Sequence, residues 1–212
     1  MISRRLAVIV GIGFMGIAIL INFLTFEYVN IAYILHYILM PLPVIELYII
    51  IRYTELKSKV VSSLLSVKWI MFLISVMIIW AFALLVDLQG VSSVEYIFES
   101  FYYPGFTEQV IFSMLGVETL SLYFRRGSAM ILTLIFYWSY YLVLLPNSLL
   151  GFPGLYLPYF VLDVFGVMSI YVASFGSTRS IYLAISIQIS LLMVAFFVPP
   201  LPAAFFYTFV PS

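Results

Sequence analysis

The chain has 212 residues, of which 65% are hydrophobic and only 8% charged, with nine Lys and Arg balanced by nine Asp and Glu. A soluble domain is about 25% charged, so this composition excludes a wetted globular surface, and the zero net charge excludes a basic footprint for nucleic acid. There is no Cys and a single His, His36, which excludes thiolate metal sites, a Cys nucleophile, disulfides and any two-His metal site within one chain, so neither a metal nor a cofactor is expected.

Lipid is the solvent that suits such a chain, and crossing it takes about 20 apolar residues. Seven segments are candidates: 6–26, 29–51, 65–86, 106–124, 128–147, 155–175 and 180–198. The expected fold is all-α, a polytopic integral membrane protein of about seven transmembrane helices in a single membrane domain. Its expected parts are three amino-terminal spans in 1–86, an outer interfacial segment at 87–105, a four-span core in 106–198 and an outer tail at 199–212.

The first segment follows Arg4 and Arg5. It is too long for the apolar region of a secretory signal and has no small-x-small cleavage site, so it reads as a span that stays. Gly11-x-Gly13-x-x-Gly16 inside it has the letters of a dinucleotide fingerprint without the preceding strand. Small residues in a span serve close helix approach instead. In the second segment Pro41 and Pro43 predict an interruption, either an ordinary kink or a break of the kind that lines transporter sites. The acidic, aromatic stretch from Asp87 to Gly105 reads as an amphipathic segment lying on the outer membrane face, or as a ligand lid. The tail opens Pro199-Pro200-Leu201-Pro202, which cannot begin a helix, and its aromatics suit an interfacial cap.

All nine basic residues fall at or beside gaps between these runs, and only at alternate gaps: Arg4 and Arg5, then Arg52, Lys57, Lys59 and Lys68, then Arg125 and Arg126, then Arg179. The intervening gaps carry acids, Glu27 and then Asp87, Glu95, Glu99 and Glu108. The positive-inside rule then places the amino terminus in the cytoplasm and the tail outside, in a membrane expected to be a prokaryotic plasma membrane. The partners expected are membrane lipid and other membrane proteins, and no nucleic acid.

Four ionisable residues sit within the apolar runs: His36, Glu46, Glu118 and Asp163. Such groups are costly in lipid and are candidates for an ion or proton path. Glu46 precedes Arg52 by six residues and Glu118 precedes Arg125 by seven, so at about 1.5 Å per residue both lie roughly 10 Å inside the cytoplasmic boundary. They are placed to meet, and two carboxylates meeting in a dry site would share a proton. Alternatively each is protonated or bonded to a Tyr or Ser of a neighbouring helix, because no basic partner lies in any span.

The stretch Gly105-Phe106-Thr107-Glu108-Gln109-Val110-Ile111-Phe112-Ser113 resembles the first motif, Glu-Glu-x-x-x-Arg, of the CAAX-prenyl-protease and bacteriocin-processing family of intramembrane proteases. Glu108 stands at its first Glu, Gln109 replaces the second, and Ser113 replaces the Arg. Phe136-Tyr137-Trp138-Ser139-Tyr140 resembles the second motif, Phe-x-x-x-His, with Tyr140 in place of the His. Gly176-Ser177 matches the turn before the third motif, whose His position falls near Ile185 or Ser186 with no polar ligand following. The resemblance covers about residues 100–195 and implies a four-span core. In the family, carboxylates and histidines activate water against a peptide bond, and this chain keeps one Glu of that set.

The expected function is therefore non-catalytic: a membrane protein resembling a degraded intramembrane protease, in which Glu108, Ser113 and Tyr140 line the former active site. It would bind a partner helix, peptide or lipid there, or serve as an integral subunit of a membrane complex. Two rivals stand beside it. One is a proton- or ion-coupled transporter using Glu46, Glu118 and Asp163, and the other is an atypical intramembrane protease built on Glu108.

Overall fold

A computed structural model describes residues 2–27, 32–39, 41–86, 106–142 and 162–197. The segments expected at 87–105 and 199–212 therefore lie outside the described residues. All regular structure among the described residues is helical. The first five helices are α1 (Ile2–Glu27), α2 (Ala32–Leu39), α3 (Leu42–Tyr53), α4 (Lys57–Leu64) and α5 (Val67–Val86). The second half contributes α6 (Gln109–Leu120), α7 (Arg126–Leu142), α8 (162–178) and α9 (Ile181–Phe197).

Local chemistry sets the breaks. Pro41 precedes α3 and Pro43 lies in its first turn, where a missing N–H costs nothing. The second predicted span is accordingly split into α2 and α3. Thr54 ends α3 in an extended conformation while its hydroxyl donates to the Ile50 carbonyl at 2.6 Å. Arg179 ends α8 in the left-handed conformation (φ 55°), a strained choice for a side chain with a Cβ. Its N–H still donates to the Phe175 carbonyl, and α9 follows two residues later. The fourth predicted span, 106–124, is shorter as a helix, because turns begin at Ser121.

Two helical stretches, Arg4–Leu24 and Lys57–Ile79, are long and apolar enough to cross a membrane. Gln109–Leu120, Phe165–Thr178 and Ile181–Ser190 are shorter apolar helices.

The centre of the bundle is α6, which packs against α1, α3, α7, α8 and α9. Every residue from Thr107 to Leu120 is buried. Small side chains allow that approach. A Cβ on Gly11 of α1 would lie 2.3 Å from Thr119 Oγ1, and one on Gly116 would lie 2.9 Å from Thr133 of α7 and 3.0 Å from Met15 of α1. Gly13 and Gly16 face open space instead. From Gln109 to Gly116 the helix takes the wider π winding, and α8 begins with another such stretch, Leu162–Val167. Interruptions of this type re-aim side chains and recur at functional sites.

The outside is apolar and the inside partly polar. Val67, Met71, Phe72, Ile78 and Ile79 of α5 and Ile9, Ile17 and Leu20 of α1 are exposed, whereas Asn22, Glu46, Glu108, Gln109, Ser113, Glu118 and Gln188 are buried. In a water-soluble domain the informative departures from the usual pattern are buried polar groups and large exposed apolar patches. Here both occur together.

One end of the bundle gathers basic residues. Arg4 of α1 pairs with Glu55 after α3 at 2.6 Å, and the Tyr182 hydroxyl of α9 donates to the Leu64 carbonyl of α4. Lys59 of α4 and Arg126 of α7 both approach Glu118 of α6, and Arg126 Nε donates to the Gly176 carbonyl of α8 at 2.9 Å. The carboxyl ends of α3, α6 and α8 thus meet cations, as helix dipoles favour.

Candidate functional site

Glu108 stands just before α6 and is buried. Two tyrosines four residues apart on α7 share the face turned toward it. The Tyr137 hydroxyl donates to Glu108 Oε2 at 2.9 Å, and the Tyr141 hydroxyl donates to the same carboxyl group at 2.7–2.9 Å. Gln109 Nε2 donates to the Tyr137 oxygen at 3.1 Å and to Gln188 Oε1 of α9 at 2.6 Å. Gln109 Oε1 accepts from the Ser113 hydroxyl, one π-widened turn along α6. Both protons of the Gln109 amide and its oxygen are thereby engaged.

An aromatic wall closes over these groups. Phe112 stacks on Tyr137 with ring centres 4.7 Å apart and planes 3° from parallel, and it leans on Tyr140 at 5.2 Å. Tyr140 and Tyr141 meet edge to face at 5.1 Å. From the other side Asn22 of α1 donates its amide to the Tyr140 carbonyl at 2.7 Å. The cluster joins α1, α6, α7 and α9 through groups that are buried, save the half-buried Tyr141.

Glu108, Ser113 and Tyr140 are therefore brought into one cluster, with a change of roles. Tyr140, standing at the His position of the resembling motif, contributes a packed ring and a backbone acceptor, while Tyr137 and Tyr141 hold Glu108. In the last segment Gln188, shortly after Ile185 and Ser186, bonds Gln109. Sequence reasoning passed over Tyr137, Tyr141, Gln188 and Asn22. A Gln and an Asn within apolar runs, and two Tyr at helical spacing, were the available signals.

The second group of candidates is not joined by hydrogen bonds among the described residues. Glu118 is not joined to Glu46 by a hydrogen bond. Its Oε1 accepts from Arg126 Nη1 at 3.0 Å and its Oε2 lies 3.9 Å from Lys59 Nζ. The expectation of no basic partner fails for Glu118 because the short turn from Ser121 to Arg125 folds Arg126 back onto α6. Neither oxygen of the fully buried Glu46 has a hydrogen-bond partner among the described residues. His36 lies on α2 and Asp163 in the π-wound start of α8, and their side chains are outside the described residues. No group of three or more His, Asp or Glu that could hold a metal occurs among the described residues.

The chemistry open to the central cluster follows from its membership. A phenol has an ordinary pKa of about 10 and donates a hydrogen bond without acting as a base near neutrality. Amides and a Ser hydroxyl take up no proton there either. What the arrangement does well is lock helices in register around one carboxyl group. No family model, curated protein or solved structure matches the chain.

Proposed function

We propose that this chain is a non-catalytic multi-pass membrane protein of about seven spans, with its amino terminus in the cytoplasm. Its centre would be a degraded intramembrane-protease site, of the prenyl-protease and bacteriocin-processing type. It acts by binding a partner helix, peptide or lipid within the bilayer, as an integral subunit of a membrane complex. One observation carries the non-catalytic reading. At the positions where the resembling motifs would place a second carboxylate, an arginine and a histidine, Gln109 and Ser113 are bonded to each other and Tyr140 offers a phenol. Activation of water needs a group able to take its proton. Glu108 is the ionisable member left, and two tyrosine hydroxyls already hold it.

The apolar exterior and polar interior support a lipid environment, where every buried polar group must find its partner inside the protein. The gathering of Arg4, Lys59 and Arg126 at one end supports the charge-rule orientation. With loops this short, partners are met inside the bilayer.

The test is isolation of the tagged full chain from its native membrane in mild detergent, with mass spectrometry of the purified material, beside a cleavage assay on membrane peptides. Stoichiometric membrane proteins and no cleavage are the expected result. Peptide cleavage that is lost in Glu108→Gln refutes the proposal in favour of a protease.

A further inference from the structure

Glu46 is the buried acid that the central cluster leaves unused. It is fully enclosed, and neither carboxyl oxygen finds a hydrogen-bond partner among the described residues. The other two buried glutamates differ: Glu118 has Arg126, and Glu108 has two tyrosine hydroxyls. A bare carboxylate in an apolar interior costs far more than a hydrogen-bonded one. Its charge has to be met by something that fits in the space.

The backbone around it is also short of donors. The chain breaks between Leu39 and Leu42, and Pro43 has no N–H to offer the Leu39 carbonyl four residues earlier. Leu39, Leu42, Pro43, Glu46 and Ile50 are all buried, on one face that continues across the break. Helical carbonyls point toward the carboxyl end and Cα–Cβ bonds tilt toward the amino end. That tilt turns the Glu46 side chain toward the first turn of α3, where Pro43 has no N–H to donate.

The surrounding charges do not supply a donor. The elements packed against α3 carry Arg4, Arg5 and Glu27 on α1, Lys57 and Lys59 on α4, and Glu118 on α6, with Glu108 just before α6. None of the described side chains among these is ion-paired or hydrogen-bonded to Glu46. Glu27 and His36 of α2 have their side chains outside the described residues.

We propose that Glu46 and the break between α2 and α3 form a site for one monovalent cation, a proton or a sodium ion. A proton on the carboxyl group would turn one acceptor into a donor facing the broken helix. A sodium ion would be shared between carboxylate and carbonyl oxygens, as at broken helices that bind ions. The site stands apart from Glu108 and does not depend on the role proposed for that cluster.

The experiment is infrared spectroscopy of the full chain in nanodiscs of phosphatidylcholine and phosphatidylglycerol, in choline chloride at neutral pH, followed by titration with sodium chloride. The wild type is expected to show the carbonyl band of a protonated carboxylic acid that disappears in Glu46→Gln, persists displaced in Glu46→Asp, and survives in Glu108→Gln. Bleaching of that band by sodium assigns the site to exchange of a proton for sodium. A band indifferent to sodium assigns it to the proton. A protonated-acid band that is the same in wild type and a folded Glu46→Gln protein in sodium-free buffer would mean an ionised, cation-free Glu46 and overturn the proposal. Glu46→Asp, which keeps the carboxyl group, must then also match wild type with no displaced band.

Discussion

The hydrogen bonds at Glu108 make a quantitative prediction through Tyr137→Phe and Tyr141→Phe. Each substitution removes one hydroxyl donor from a buried carboxyl group and leaves the ring packing in place. Tyr137→Phe also takes an acceptor from Gln109. A hydrogen bond to a charged group is worth about 1.5–3 kcal/mol in soluble proteins, but inter-helix bonds measured by double-mutant cycles in a membrane protein average about 0.6 and reach about 1.7 kcal/mol. The bonds here are buried and two converge on one carboxyl group, so the larger value found for model membrane helices applies, about 1–2 kcal/mol per tyrosine. For a chain of this size, 1 kcal/mol moves the melting temperature by about 2–4 °C. Each single variant should therefore melt about 2–8 °C below wild type. Unfolding in mild detergent, followed by tryptophan fluorescence, reads this directly. The decisive quantity is the coupling of each tyrosine to Glu108→Gln, because Glu108→Gln should cost less once the hydroxyl is gone. A coupling below about 0.3 kcal/mol, the usual scatter of additivity, would refute the claim that these hydroxyls hold Glu108.

Three further outcomes are expected. Gly11→Ala should destabilise by about 1–3 kcal/mol, because its Cβ would meet a Thr119 hydroxyl already bonded to the Leu115 carbonyl, whereas Gly13→Ala, facing open space, should be neutral or stabilising in the same melting assay. Arg126→Leu should cost about 2–4 kcal/mol, since it strips a 2%-exposed Glu118 of its close cation, while Lys59→Ala, at 3.9 Å and 47% exposed, should cost under about 1 kcal/mol; equal losses would show that the clamp has been misassigned. Because the chain has no Cys, single cysteines report topology: Ser62→Cys and Ser128→Cys should react with a membrane-impermeant maleimide only after the membrane is opened, and Ser93→Cys in intact cells. Labelling of Ser62→Cys and Ser93→Cys from the same side would contradict the charge-rule orientation.

The helical class, the break at Pro41 and the grouping of basic residues were legible because each depends on neighbours in the chain. A Pro lacks its N–H wherever it stands, and a long apolar run without Gly or Pro propagates as helix. That Glu108 and Ser113 lie near one another was legible for the same reason, since they stand within six residues of one helical stretch, whereas the place of Tyr140 beside them depended on packing. The meeting of Glu46 with Glu118 was inferred from depth alone, and depth says nothing of azimuth. Both acids are buried, yet the turn after α6 delivers Arg126 to one of them and nothing described to the other.

Hydropathy and local spacing thus account for where the helices run and which groups are expensive to bury. Packing alone decided which of those groups are satisfied. Gln109 and Gln188 are 79 residues apart, and Asn22 lies 118 residues from the carbonyl it binds. Helices that are apolar on nearly every side carry no stripe to announce their inward face. The wide winding of α6 then sets the azimuth of Gln109 and Ser113 by a backbone choice that no side-chain pattern encodes. The partners of Glu108, and the isolation of Glu46, are consequences of how these faces were turned toward one another.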